Sequence, residues 1–278
     1  MGKGGAQRGA PVAPDSLTRG ARAQMRLTTI GTGTVPSPAR VNAGHLVEAG
    51  DVRLLLDCGS GVAHRMSTLG LDWLTVTHVA LTHFHADHVL DIPTLLVAWR
   101  YGVLPPRSEP VEIIGPVGAI ALLERFAAIF GDTIRASTFP ITIREIHPGE
   151  TLALGSGVSI EARKVPHTGE SIAYCVRRGR ARLVYTGDTG VDDELGGWAR
   201  DCDVLLAECS LPDPLAIPTH LSPERCAALA AAALPGCLAL THFYPLVEQV
   251  DVRAIVASRF GGAVVLTTDG WTTEIEDF

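Results

Sequence analysis

The chain has 278 residues, 46% hydrophobic and 19% charged, and a formal net charge of −7. It is long and apolar enough to bury a substantial core, so a wholly disordered chain is excluded. Its longest apolar runs are far too short for a transmembrane helix, and its acidity makes general binding to nucleic-acid backbone a poor expectation.

Residues 1–24 stand apart, rich in Gly, Ala, Pro and Arg, with four basic residues and one acid. We expect a flexible tail there and a single domain over 25–278. No charged segment followed by an apolar one resembles a secretory signal. None of the six cysteines forms a C-x-x-C pair, which argues against a cysteine zinc site. The expected compartment is the reducing cytoplasm, with no membrane association.

Strand signals dominate the first part. "RLTTIGTG" reads as a strand ending in a glycine turn, and "HLVEAGDVRLLLDCGSG" as a hairpin about Gly50 and Asp51. "GVAHRMSTLG" predicts a short helix closed by Gly70. "HVALTH" predicts a buried strand carrying His83 at its end. In "DIPTLLVAWRYG" the residues Ile92, Leu95, Leu96 and Trp99 share one helical face. "PVEIIGP" is a strand and "GAIALLERFAAIF" a helix.

The second part repeats this rhythm. "VSIEARKVPH", "SIAYCVRR", "ARLVYTGDTG" and "DVLLAECS" read as strands. "SPERCAALAAAAL" is a helix capped by Ser222, with Pro223 in its first turn. "CLALTHF" is a strand, "DVRAIVASRFGG" a helix, and "AVVLTTDGWTTEIE" a final strand pair. Strands then helices, given twice, fit two sheets back to back with helices outside.

The stretch "THFHADH", 82–88, holds three of the ten histidines and one aspartate. On an extended segment His83 and His85 point the same way. A turn after them would aim Asp87 and His88 at a second point. Imidazoles and carboxylates suit a divalent, zinc-like ion, and two pairs in one loop suggest two ions. The run "LTHF" recurs at 240–243 and places His242 at another strand end. "GTGT" at Gly31 lacks the Lys-Ser/Thr of a P-loop and is expected to be a strand-ending turn. His45, His64, His78 and His147 have no partner at ligand spacing and are expected to be structural. Phe84, Trp99, Tyr101, Phe243 and Tyr244 lie near the motifs, as pocket wall or as core.

The pattern H-x-H-x-D-H after a buried strand resembles the signature of the metallo-β-lactamase superfamily, and the resemblance runs over nearly all of 25–278. It implies an α/β fold of the four-layer αββα sandwich type and two divalent ions, Zn2+ first, with Mn2+ or iron also compatible. It places His83, His85, His167 ("VPHTGESIAY") and Asp188 ("VYTGDTG") on one ion. Asp87, His88, Asp188 and His242 hold the other, with Asp57 ("LLLDCGSG") behind a ligand histidine. The reaction it implies is hydrolysis by a hydroxide shared between the ions.

"DHVLDIPTLL", "IIGPVG" and "GESIAY" are similar to the ribonuclease Z-like phosphodiesterase branch. That branch casts Glu208 ("LLAECS") and His220 ("THLSPE") as a proton-delivering pair, which with Asp87 would be the catalytic residues. Its transfer-RNA-processing members carry a long Gly-Pro-rich arm, absent between Ile114 and His167 here, and a last motif unlike "HFYPLVEQ". The expected substrate is therefore a small phosphodiester, such as a cyclic nucleotide, a short nucleotide diester or an RNA 3′ end, and not transfer RNA. Alternatives on the same ions are a carboxylic ester, lactone, thioester or sulfate ester, or a non-catalytic metal-binding protein. A homodimer is expected from the resemblance and from the commonness of twofold assemblies.

Overall fold

A computed structural model describes residues 24–131 and 138–276, together with Met1. The expected tail lies outside the described residues except for Met1 and for Gln24, which already belongs to the first strand.

Among the described residues the chain forms two seven-stranded sheets. One holds β1 (Gln24–Gly31), β2 (Gly44–Ala49), β3 (Val52–Leu56), β4 (His78–Ala80), β5 (Val111–Gly115), β6 (Ile141–Glu145) and, at its far edge, β14 (Thr272–Glu276). Its order is β14-β1-β2-β3-β4-β5-β6. The other runs β13-β12-β11-β10-β9-β8-β7, built from β7 (Thr151–Gly155), β8 (Val158–Lys164), β9 (Ile172–Arg178), β10 (Ala181–Tyr185), β11 (Val204–Glu208), β12 (Cys237–Thr241) and β13 (Ala263–Leu266). The two sheets share a plan of three antiparallel pairings followed by three parallel ones. In the first sheet β3, β4, β5 and β6 pair in parallel, and in the second β10, β11, β12 and β13 do.

The period of two along each strand sorts side chains between the layers. In β3, Leu54 and Leu56 enter the core between the sheets, with Met25, Ile160, Tyr174 and Leu206. Leu55 points outward with Ile92, Leu95, Leu96 and Trp99. Those last four are the predicted apolar face of the helix Ile92–Tyr101. With helices Val62–Thr68 and Ala119–Phe130, it covers the first sheet. Helices Leu195–Trp198, Pro223–Ala233 and Val252–Ala257 cover the second. The result is the expected αββα sandwich. Ser222 caps its helix through Arg225 N, as anticipated.

Three details differ from expectation. The final strands do not pair with each other: β13 lies along β12, while β14 crosses to β1. The crossing turn is pinned by Asp269, whose carboxylate accepts from the backbone of Thr32 and Val41. Strand β4 ends at Ala80, short of His83. Leu81 N still reaches the Ile114 carbonyl, but Thr82 N turns to the Asp57 carboxylate, so the ladder stops there. The edge strands β6 and β7 are not among the strands expected from the sequence: β6 alternates half-buried with exposed residues, and β7 buries only Leu152 and Leu154.

Candidate metal centre

The site lies where the parallel strands end, the edge at which α/β sheets present functional groups. Asp57 follows β3 and His83 follows β4. Asp188 follows β10, Glu208 ends β11, and His242 follows β12. Asp57 and His242 are both non-glycine residues with left-handed backbones, φ 57° and 60°. Such strain is kept where a side chain must be aimed. Two glycines permit close approach. A Cβ at Gly59 would sit 1.9 Å from the Asp87 carbonyl, and one at Gly187 would press on Thr82 at 2.7 Å.

His85 is extended and opens a single helical turn, Ala86–Val89, that carries Asp87 and His88. The turn divides the motif as its spacing suggested. His83, His85, His167 and Asp188 present donor atoms within 4.8 Å of one another, and Asp87, His88 and His242 form a second such group. Asp188 stands between the two: one oxygen lies 3.6 Å from Nε2 of both His83 and His167. The other lies 3.3 Å from Nε2 of His88 and 3.1 Å from that of His242.

Hydrogen bonds fix which ring nitrogen faces inward. Nδ1 of His88 meets Asp57 Oδ2 at 2.8 Å, and Nδ1 of His167 meets the Thr219 carbonyl at 2.9 Å. Both acceptors require a proton on Nδ1, which leaves Nε2 of each ring as an inward lone pair. Nδ1 of His83 meets Thr82 Oγ1 at 3.0 Å, and Nδ1 of His242 meets Ser210 Oγ at 3.0 Å. The inner nitrogens then crowd each other. His88 and His242 Nε2 are 3.2 Å apart, and His167 Nε2 is 3.0 Å from His85 Nδ1. His83 Nε2 and Asp188 Oδ1 are buried without a hydrogen bond. Converging lone pairs and unpaired buried donors of this kind fit divalent cations, and the residues present suit two of them.

The electrostatics follow. Burial would raise the Asp188 carboxyl, but His242, His88 and His83 hold it well below its ordinary range. Burial would lower His88, yet Asp188 and Asp57 hold it well above the usual imidazole value, so a cation at its Nε2 would take the place of a proton there. His83 is pushed well down by burial and by His88. Asp87 is held down by His242 and His88 against the effect of burial.

Glu208 and His220, far apart in sequence from the motif, join the same cluster. Glu208 is fully buried and accepts from Thr189 N. His220 Nδ1 meets its two oxygens at 3.1 and 2.9 Å and lies 4.0 Å from Asp188. Burial would lower His220; the bond to Glu208 outweighs it and holds the ring above its ordinary value. His220, Asp188 and His242 also lie within donor distance of one another.

Several supporting residues escaped the sequence reading. Thr82 gives its N–H and hydroxyl to Asp57 at 2.8 and 2.9 Å, and Tyr185 donates to the same carboxylate at 2.8 Å. Thr219 and Ser210 hold the outer nitrogens of the candidate ligands His167 and His242. Only Ser210 had a local signal, two residues after Glu208, just past the end of β11. Of the named aromatics, Trp99 and Phe243 are core, Tyr101 is exposed, and Tyr244 packs edge-on to His220 and His242. "GTGT" is a site border, as expected, with Gly33 bridging to Phe243. All six cysteines are free. Among the described residues no helix is long and apolar enough to cross a membrane.

Fold and site together define an αββα sandwich with a His/Asp cluster suited to divalent ions at the sheet ends. The chain belongs to the beta-lactamase superfamily: the family model described as "Beta-lactamase superfamily domain" matches residues 52–243. A relative, "Uncharacterized protein ML1173" of Mycobacterium leprae, is 34% identical over 91% of this chain and 89% of its own. The "Ribonuclease Z" of Mycobacterium bovis is 28% identical over 90% of this chain and 98% of its own. The metallo-beta-lactamase fold protein YhfI from Bacillus subtilis superposes with a TM-score of 0.78 at 24% identity, covering 91% of this chain and all of the other. That likeness speaks to the fold.

Proposed function

We propose that this chain is a metal-dependent phosphodiesterase acting on a small diester. The observation that carries the proposal is the buried Glu208–His220 pair, 4.0 Å from the carboxylate shared by the two ligand groups. An alkoxide leaving phosphorus needs a proton, and a carbonyl-centred hydrolase with a good leaving group does not need this pair. His83, His85, His167 and Asp188 would hold one ion, and Asp87, His88, Asp188 and His242 the other. Bound there, two divalent ions, zinc first, would activate water and draw charge from the phosphoryl oxygens.

The protein's own groups do the rest. Asp57 holds the His88 ring in its ligand tautomer. Asp87, partly exposed at the mouth, lies 3.3 Å from His242 Nε2 and would help orient the attacking water. Glu208 keeps a proton on His220 Nδ1, leaving Nε2 to serve the leaving oxygen.

Small size is supported by the rim. A cleft of about 670 Å³ opens beside His167, between Pro166, Val191 and Thr219. The cations around it are occupied. Lys164 donates to three backbone carbonyls, Arg163 pairs with Asp192 at 3.0 Å, and Arg225 holds the Ile217 and His220 carbonyls. Arg163 is thereby neutralised, while Lys164 and Arg225 keep their charge but are tethered to their own chain. From Ile114 to His167 the described chain is taken up by a helix and three strands, with no inserted arm. The name Ribonuclease Z on relatives covering nine-tenths of this chain weighs the other way and makes RNA the second reading. A homodimer in the cytoplasm completes the proposal.

Turnover of bis(p-nitrophenyl) phosphate, 3′,5′-cyclic nucleotides and a transfer-RNA precursor by the metal-loaded protein decides between these. We expect efficient cleavage of the small diesters. Efficient processing of the precursor alone would replace this reading with the second.

A further inference from the structure

Ser210 joins the two pieces of machinery that the proposed function keeps separate. It is fully buried, and its hydroxyl oxygen lies 2.5 Å from Glu208 Oε2, 3.0 Å from His242 Nδ1 and 3.3 Å from His220 Nδ1. A hydroxyl has one proton and two lone pairs. Glu208 as a carboxylate can only accept, so the serine proton goes to it. Nδ1 of His242 must then donate to Oγ. That assigns the His242 tautomer, with its Nε2 lone pair directed at Asp188 Oδ1 and His88 Nε2, 3.1 and 3.2 Å away. The same proton donation keeps Oε2 of Glu208 in place to receive His220 Nδ1 at 2.9 Å.

We infer that Ser210 is a positioning residue that sets the His242 tautomer for metal binding and at the same time aligns the Glu208–His220 proton donor. The inference rests on the proposed function for its second half only. Of the other four candidate ligand histidines, His83, His88 and His167 owe their tautomers to separate groups, Thr82, Asp57 and Thr219. Loss of Ser210 therefore strikes one metal group and spares the other. Outer partners of ligand histidines typically matter by about 10–100-fold in metal affinity.

The test titrates the metal-loaded wild type, Ser210→Ala, Ser210→Cys and Ser210→Thr with a chelator and counts metal per chain by atomic emission. In the alanine and cysteine variants we expect one of two equivalents to be lost at about 10–100-fold lower chelator concentration, with the threonine variant, which keeps the hydroxyl, close to wild type. The same two variants should slow an alkyl phosphodiester more than a p-nitrophenyl one. Wild-type retention of both metals in Ser210→Ala and Ser210→Cys would overturn the inference, as would equal loss of both. If the wild type cleaves no phosphodiester, the proposed function fails, while the metal titration still decides the tautomer role.

Discussion

The first sheet supplies four of the seven candidate ligands from one stretch of six residues, His83 to His88, while the second supplies His167, Asp188 and His242 from three separate connections. The first group is held by local means: an extended residue, one helical turn, and the Asp57 carboxylate beside it. The second depends on distant parts meeting. His242 needs a left-handed backbone and a hydroxyl two strands' worth of chain away, and Asp188 needs Gly187 to let the loop approach Thr82. A compact motif orders few residues for many ligands; a dispersed one relies on the whole sandwich being folded. The second half also carries the Glu208–His220 pair, 4.0 Å from the Asp188 carboxylate.

Mutation separates the two halves. Removing the proposed proton donor of the second half, by His220→Ala, should slow alkyl phosphodiesters by about 10²–10⁴-fold and p-nitrophenyl diesters far less. Equal slowing on both, in steady-state kinetics, would deny the pair an acid role. On the first-half side, Asp57→Ala strips His88, Thr82 and Tyr185 of their common acceptor. Metal affinity should fall about 10–100-fold, and stability by about 1–3 kcal/mol from the unsatisfied buried groups. Calorimetric metal titration and urea melts would read the two effects separately.

A subtler difference concerns His45, buried in β2 with neither ring nitrogen hydrogen-bonded. Burial, reinforced by His88 and His242, lowers its pKa to about 3. The unfolded chain, with a pKa near 6.5, therefore takes up the proton first. This contribution is fully present above about pH 6.5 and is lost as pH falls toward 3, with a slope of at most about 1.4 kcal/mol per pH unit. His45→Leu should flatten that part of the stability–pH curve relative to wild type; parallel curves would contradict it. The smallest effect is expected at Ser222→Ala, which removes a helix cap bonded to Arg225 N. A loss of about 1 kcal/mol in melting experiments, with unchanged turnover, is expected.

How much could be read beforehand follows the same division. "THFHADH" announced metal binding because three histidines and an aspartate at that spacing have few other uses. His167 and Asp188 were reached only through resemblance, since a single His or Asp at a strand end carries no local signal; His242 had the repeated "LTHF" run besides. The sheets were legible from alternation and apolar runs, whereas the crossing of β14 to β1 was not. It depends on Asp269 capturing the backbone of Thr32 and Val41, contacts more than 200 residues apart in sequence. Thr219, a carbonyl supplier, was invisible for a simpler reason: any residue type has that carbonyl.

On the proposed function the two halves meet at Asp188 to make one phosphodiesterase site. Hydrolysis of bis(p-nitrophenyl) phosphate by the metal-loaded protein, with Asp188→Ala and a p-nitrophenyl ester panel alongside, tests it most directly. Phosphodiester turnover is expected in the wild type and should disappear in the variant together with bound metal. Intact phosphodiester beside rapid ester or lactone cleavage would contradict it and move the chemistry to a carbonyl centre.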